Sequence, residues 1–252
     1  EVLISSLHGK RPFSKRVVVR GEPIVWGLAS GCVFYYQDVL TRELERWRLS
    51  EGQVKEELQR LEKAMDKVQI DLAGLKSKVG YEIGAKHAEI FGVHQLILRD
   101  VELFKEIEKQ LRHRLVNAEQ IVQDVFRDWE KKLKDTRSDV FRERASDVVD
   151  VGKRLLKALI GVGEISLSNV PVDSVIFAQR LLPSDTASLN AKNEKAIVTL
   201  EGTQNSHSAI LARALDIPFV SKINIPIASL PPKTQVIVDG QKGRIIINPS
   251  PA

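Results

Sequence analysis

The sequence predicts an α/β domain interrupted by an antiparallel helical bundle, and two changes of rhythm predict it. Short β-branched and aromatic runs occupy the stretch from Arg16 to about Tyr36. A stretch of helix-period sequence with no proline follows from about 40 to 160, and short apolar runs with prolines return from Ser174 onward. The strands before residue 40 are too few to enclose a core, so they are expected to complete the sheet of the C-terminal segment. Residues 1–39 and 165–252 then form two segments of one α/β domain, and 40–164 is the insertion.

Each element has its own signal. Val17 to Val19, Ile24 to Trp26 and Val33 to Tyr36 read as strands broken at Gly21, Gly27 and Gly31. In the middle region Val54, Leu58, Leu61, Met65, Val68, Leu72, Leu75 and Val79 recur at spacings of four and three, a heptad seam. Ser50 with Gln53 predicts a capping box at its start and Gly80 its stop. Further helices are expected over about 82–98, 101–115, from the cap Asn117 through Leu133, and from 138 to Gly161. A free-standing coiled coil is the alternative, but the seam lasts only about four heptads and amphipathic helices follow it. Beyond it, Ser174 to Ala178 and Ala196 to Leu200 read as strands, Asp185 to Leu189 and Ser208 to Leu215 as short helices. Val236 to Val238 and Ile245 to Ile247 flank Asp239-Gly240, a hairpin signal.

Composition narrows the function classes. With 43% hydrophobic and 28% charged residues the chain can bury a normal core. One cysteine, Cys32, excludes an intrachain disulfide and any multi-cysteine metal site. No apolar run reaches the roughly 20 residues of a membrane span, and the N-terminus has no apolar segment before a cleavage site, so a cytoplasmic protein is expected. The net charge of +5 is concentrated in Lys10, Arg11, Lys15, Arg16 and Arg20 and again in Lys131, Lys132, Lys134 and Arg137. These runs lack interleaved aromatics and any nucleic-acid motif, so a solvated face is expected rather than a nucleic-acid interface. His87 and His94 lie on one helical face with no further ligand cluster, which assigns them to packing or docking, not metal; His8 and His113 carry no signal.

The segment that carries chemistry runs from Glu201 to Val220: a strand end, a polar loop, then a helix starting near His207 and stopping before Pro218. Asn205 or Ser206 can cap that helix. A histidine there lies beside unpaired backbone N–H groups and the positive end of the helix dipole, both of which stabilise a phosphoryl group on imidazole. Neutral imidazole is also a competent nucleophile.

Gly202, Ser206-His207, Ala212-Arg213 and Ile217-Pro218 resemble the phosphohistidine segment of Enzyme I of the bacterial phosphoenolpyruvate:sugar phosphotransferase system and of the related dikinases. Leu182-Pro183-Ser184-Asp185-Thr186-Ala187 resembles the family's Thr-Pro-Ser-Glu-Thr-Ala segment. Arg144 through Leu156 resembles the last helix of Enzyme I's inserted bundle, Ile90-Phe91 and His94 an inner one. Gly27 to Gly31 and Asn248-Pro249-Ser250 match its ends. The resemblance implies a phosphohistidine (swivelling) α/β domain with an inserted bundle that docks the carrier protein HPr. It implies His207 as phosphoryl carrier, Thr186 orienting its imidazole, and Asn205, Ser206 and Ser208 stabilising the phosphoryl oxygens. Lys86, Arg99, Asp100 and Arg144 are expected on the HPr face. Phosphoenolpyruvate and Mg²⁺ are expected on a C-terminal domain beyond Ala252, with the full-length protein a homodimer; no cofactor is expected in this chain.

Three departures stand out. Thr203 replaces the second of a glycine pair, Gln204 an arginine, and Asn205 a threonine. A cation replaced by an amide leaves a phosphoryl dianion less stabilised. A non-catalytic or weakened regulator of this family is therefore an alternative, and a basic nucleic-acid-binding bundle is another.

Overall fold

The computed structural model describes residues 16–36, 43–161, 167, 170–189, 193–226 and 230–249, the side chains of 139–143 excepted. The basic residues Lys10, Arg11 and Lys15, together with His8, Ser250 and the joints expected at 39/40 and 164/165, lie outside them. The chain divides into two compact units, Glu1–Gln37 with Ile165–Ala252, and Asp38–Glu164.

The first unit is built on one eight-stranded sheet, ordered β1-β8-β7-β3-β4-β5-β6-β2. Its strands are β1 Val17–Arg20, β2 Glu22–Val25, β3 Leu28–Tyr36, β4 Ser174–Ala178, β5 Glu194–Thr199, β6 Phe219–Ser221, β7 Gln235–Asp239 and β8 Arg244–Ile247. The N-terminal strands do complete this sheet: β3 pairs in parallel with β4 and antiparallel with β7. β1 and β2 lie at opposite ends of the order yet only Gly21 separates them, so the sheet curls until its edges meet there. A Cβ on Gly21 would lie 2.4 Å from the Ser221 carbonyl oxygen, which only glycine avoids. Strand alternation sorts the core. Val33, Val175, Phe177, Ala196 and Val198 pack with Val236, Val238, Ile245 and Ile247 inside the curl. Tyr36, Ile176, Ala178, Ile197 and Phe219 face the other way, onto Ala209 and Ala212.

The second unit is helical: α1 Val54–Glu82, α2 Ala85–Leu98, α3 Val101–Arg114, α4 Ala118–Lys134 and α5 Asp139–Ile160. The seam of α1 is rotated slightly from the heptad reading. Val54, Leu61, Val68, Leu72 and Val79 are buried as expected, but Glu57 and Ala64 join them while Leu58, Met65 and Leu75 stay half-exposed. The helix also runs through Gly80, and the break comes at Gly84, whose φ of 122° suits glycine. At the start of α1, Gln53 Oε1 accepts from the Ser50 N–H at 2.9 Å across a short 3₁₀ turn. At the end of α5, Gly161 adopts the left-handed cap, as the sequence predicts.

Asn117 precedes α4, but its side chain does not cap it. Its amide donates to the Glu45 carbonyl at 3.1 Å and to Glu119 at 2.9 Å, tying down the strap before α1. The α4 terminus is closed instead by Glu57 of α1, whose Oε1 accepts from the Ala118 N–H at 2.7 Å. Arg60 joins the group, donating to Glu57, to both Glu119 oxygens at 2.7 and 2.8 Å and to the Leu159 carbonyl. Burial raises the Glu119 pKa, but hydrogen bonds from Arg60 and Asn117 outweigh it and hold the carboxyl below its ordinary 4.5.

Candidate functional site

His207 opens α7, His207–Ala214, which packs Ser208, Ala209, Leu211 and Ala212 inward and leaves His207 exposed. The preceding loop is set by Gly202, whose φ of 151° disfavours a side chain and whose absent Cβ leaves room for Ser221 Oγ. Ser206 is the cap: its hydroxyl donates to the Thr203 carbonyl at 2.9 Å and accepts from the Ala209 N–H at 3.2 Å. The Ile210 N–H is taken by the Ser206 carbonyl at 3.0 Å. The N–H groups of His207 and Ser208 have no acceptor among the described residues, so two backbone donors and the helix dipole remain open beside an exposed imidazole. That arrangement can hold a tetrahedral dianion against a nitrogen nucleophile.

Thr186 lies in α6, Pro183–Thr186, fully buried. Its hydroxyl donates to the Leu182 carbonyl at 3.2 Å and makes no hydrogen bond to His207. The Ser208 hydroxyl is likewise directed inward, donating to the Leu181 carbonyl at 2.6 Å, so only its backbone N–H faces the open terminus. Asn205 is exposed in the loop. The Gln204 amide donates to the Pro23 carbonyl on β2 at 3.1 Å and makes no hydrogen bond to His207.

The four expected docking residues do not converge. Arg99 and Asp100 line a groove of about 640 Å³ between α1 and the α2–α3 corner, with Met65, Ile70, Val101 and Phe104. Lys86 and Arg144 do not line it. Asp100 also caps α3, accepting from the Glu102 and Leu103 N–H groups at 2.9 and 3.0 Å, and Arg144 lies 3.7 Å from the buried Asp147. Sequence reasoning missed the groove's apolar rim, where Ile70 is 72% exposed and Val101 63%. Ile70, an apolar residue off the heptad seam between Val68 and Leu72, was the available signal. His94 is fully buried, with Asp147 3.6 Å from one ring nitrogen and Asp150 3.8 Å from the other. Among the described residues no group of three or more His, Cys, Asp or Glu is placed to hold a metal, and no helix is long and apolar enough to cross a membrane.

The profile of the family described as PEP-utilising enzyme, N-terminal, matches residues 20–144, and that described as PEP-utilising enzyme, mobile domain, matches 170–243. The phosphoenolpyruvate-protein phosphotransferase of Listeria innocua is 36% identical over 78% of this chain, and that of Priestia megaterium 36% identical over 82%. The chain spans about a third of the length of these curated relatives, 34% and 36%. A solution structure of an Enzyme I protein superposes with a TM-score of 0.69 at 32% identity, covering 92% of this chain and 93% of that one. The N-terminal domain of a nitrogen Enzyme 1 shares the fold, with a TM-score of 0.64 at 24% identity over 92% and 94% of the two chains. A solved relative above 30% identity, matched over nearly its whole length, establishes that the chain belongs to the Enzyme I family and spans its N-terminal region.

Proposed function

We propose that His207 carries a phosphoryl group between phosphoenolpyruvate, bound on another part of the longer protein, and HPr docked on the helical unit. The observation that carries this is the open α7 terminus: an exposed imidazole beside two unused N–H groups, in a family whose curated members are phosphoenolpyruvate-protein phosphotransferases. Nε2 attacks phosphorus in line; the N–P bond forms as the P–O bond to the enolate breaks, and the electron pair leaves on that oxygen. Transfer to HPr repeats the exchange with its histidine as nucleophile and His207 as leaving group. The His207 and Ser208 amides and the Asn205 side chain hold the phosphoryl oxygens. Thr186 orients the imidazole once its hydroxyl swings from Leu182.

Incubation with phosphorylated HPr is expected to place one acid-labile phosphoryl group on the chain, and His207→Ala to abolish it with the fold intact. Label retained on that variant sinks the assignment. A regulator that docks without transferring is favoured by one observation, the neutral Gln204, whose amide is taken up by the Pro23 carbonyl. It predicts HPr binding with no label.

The apolar groove is the proposed HPr face, since exposed apolar clusters of this kind mark docking sites. Ile70→Asp with Val101→Asp is expected to weaken HPr binding more than tenfold, about 1.4 kcal/mol or more. Lys86→Glu with Arg99→Glu changes mainly the association rate and its salt dependence, and tightens binding to an HPr with a basic face. Unchanged affinity in the aspartate pair places docking elsewhere.

A further inference from the structure

Three side-chain hydrogen bonds lead from the end of β3 to the residue after His207. The Tyr36 hydroxyl, on the last residue of β3, donates to Asp185 Oδ1. Asp185 Oδ2 accepts from the Leu182 N–H at 3.1 Å, closing the turn that begins α6. The adjoining Leu181 carbonyl then accepts from Ser208 Oγ at 2.6 Å. Tyr36, Leu181, Leu182, Asp185 and Ser208 are all buried, so water does not readily exchange for these bonds.

The contact matters because of how α7 is seated. The helix has only eight residues, and its sheet-facing side includes Ala209 and Ala212. Alanines set the distance of a helix from a sheet but interlock little, so they resist rotation about the helix axis weakly. A directional hydrogen bond in the first turn supplies what they lack. Rotation there swings the imidazole of His207, one residue away. We infer that Ser208 is a positioning residue for His207, fixing the rotation of the α7 terminus through Leu181, with Asp185 and Tyr36 anchoring the acceptor. The inference rests on the phosphohistidine reading and goes beyond it: the Ser208 side chain acts through its inward hydroxyl, while only its backbone amide meets the phosphoryl oxygens.

The test uses the whole chain and HPr phosphorylated by a complete Enzyme I. Ser208→Ala is expected to slow single-turnover transfer to His207 about tenfold, since misplacement by a fraction of an ångström is costly in an in-line exchange. The buried Leu181 carbonyl left without its donor also lowers the melting temperature, so the ring signals and the threonine variant separate positioning from stability. Ser208→Thr keeps the hydroxyl and transfers within about twofold of wild type. Tyr36→Phe slows transfer about threefold, and the double variant is no slower than Ser208→Ala alone, because the line is already cut. Wild-type speed in Ser208→Ala, equal slowing in Ser208→Thr, or losses that multiply in the double variant overturn the proposal. NMR of the His207 ring separates this from failure of the phosphohistidine reading. If the wild-type chain takes no label, that reading falls. Ring signals that shift in Ser208→Ala but not in Ser208→Thr still support the positioning role, and unshifted signals in both overturn it.

Discussion

At α3 and α4 of the helical unit and at α7 of the α/β unit, helix N-termini are finished in opposite ways. At α4, Glu57 reaches from another helix to take the Ala118 N–H, and Glu119 in the first turn adds a second buried carboxylate. At α3, Asp100 takes two N–H groups with its own carboxylate. These termini are filled with negative charge. At α7 a neutral serine takes one N–H group, and those of His207 and Ser208 are left open. A filled terminus offers no attraction to an anion, whereas an open one beside an exposed nucleophile attracts it. On the proposed function, the phosphoryl group goes to the open terminus of α7.

Filling the open terminus is the strongest way to break this contrast. Ser206→Asp keeps a good cap, so α7 persists, but puts a carboxylate where the phosphoryl group would sit. Like charges about 4 Å apart repel by roughly 1 kcal/mol in water and about 4 kcal/mol at intermediate dielectric. The phosphorylated fraction at equilibrium with phosphorylated HPr is expected to fall about thirtyfold, or about 2 kcal/mol. An unchanged fraction would show that the α7 terminus does not hold the phosphoryl group.

Neutralising a filled terminus is the smaller, opposite test. Because folding holds the Glu119 carboxyl below 4.5, its contribution is present in full above that value and is lost as pH falls through the folded value. Glu119→Gln is expected to cost the helical unit about 1 kcal/mol near neutral pH, discounted for the open side of Arg60. Denaturation measured at about pH 7 and about pH 3 should show that gap closing in acid. A gap of equal size at both would mean the carboxylate is not the stabilising form.

The same contrast explains what could be read from sequence. Local, periodic features were legible: the helices of the bundle, the hairpin of β7 and β8, and Ser206 as a cap beside His207. Partners distant in the chain were not. Arg60 and Glu119 are 59 residues apart, and nothing near Asn117 signals that Glu57 closes its helix. The three-residue β6 is fully buried and too short to show a period, so it was missed. Gly80 looked like a stop, but glycine only weakens a helix, and packing of α1 against α2 carries the helix through it. Thr186 and Ser208 are candidates by resemblance, whereas their inward hydroxyl bonds depend on how α6 meets the sheet.

The loop before His207 gives the smallest expected effect, because the geometry there revises a sequence expectation. From sequence alone, restoring glycine at Thr203 and arginine at Gln204 should raise the phosphorylated fraction about tenfold, since arginine supplies charge and a fork for phosphate oxygens. The structure directs position 204 elsewhere. The Gln204 amide lies on the Pro23 carbonyl, and Arg213 lies close to the Gln204 and Ile24 carbonyls at 3.5 and 3.4 Å, so a guanidinium already occupies that side of the loop. An arginine following the path of Gln204 places its charge over β2, in solvent and beside another cation. A charge held in solvent is screened over a Debye length of about 8 Å at physiological salt, so its effect on the phosphoryl group is small. Thr203→Gly with Gln204→Arg is therefore expected to change the phosphorylated fraction by less than about twofold, under about 0.4 kcal/mol. The measurement is the equilibrium with phosphorylated HPr at low and physiological salt. A tenfold rise that shrinks with salt would show that residue 204 leaves Pro23 when the phosphoryl group arrives. The loop would then be a second electrostatic partner of His207, and its neutral side chain here would mark a weakened carrier.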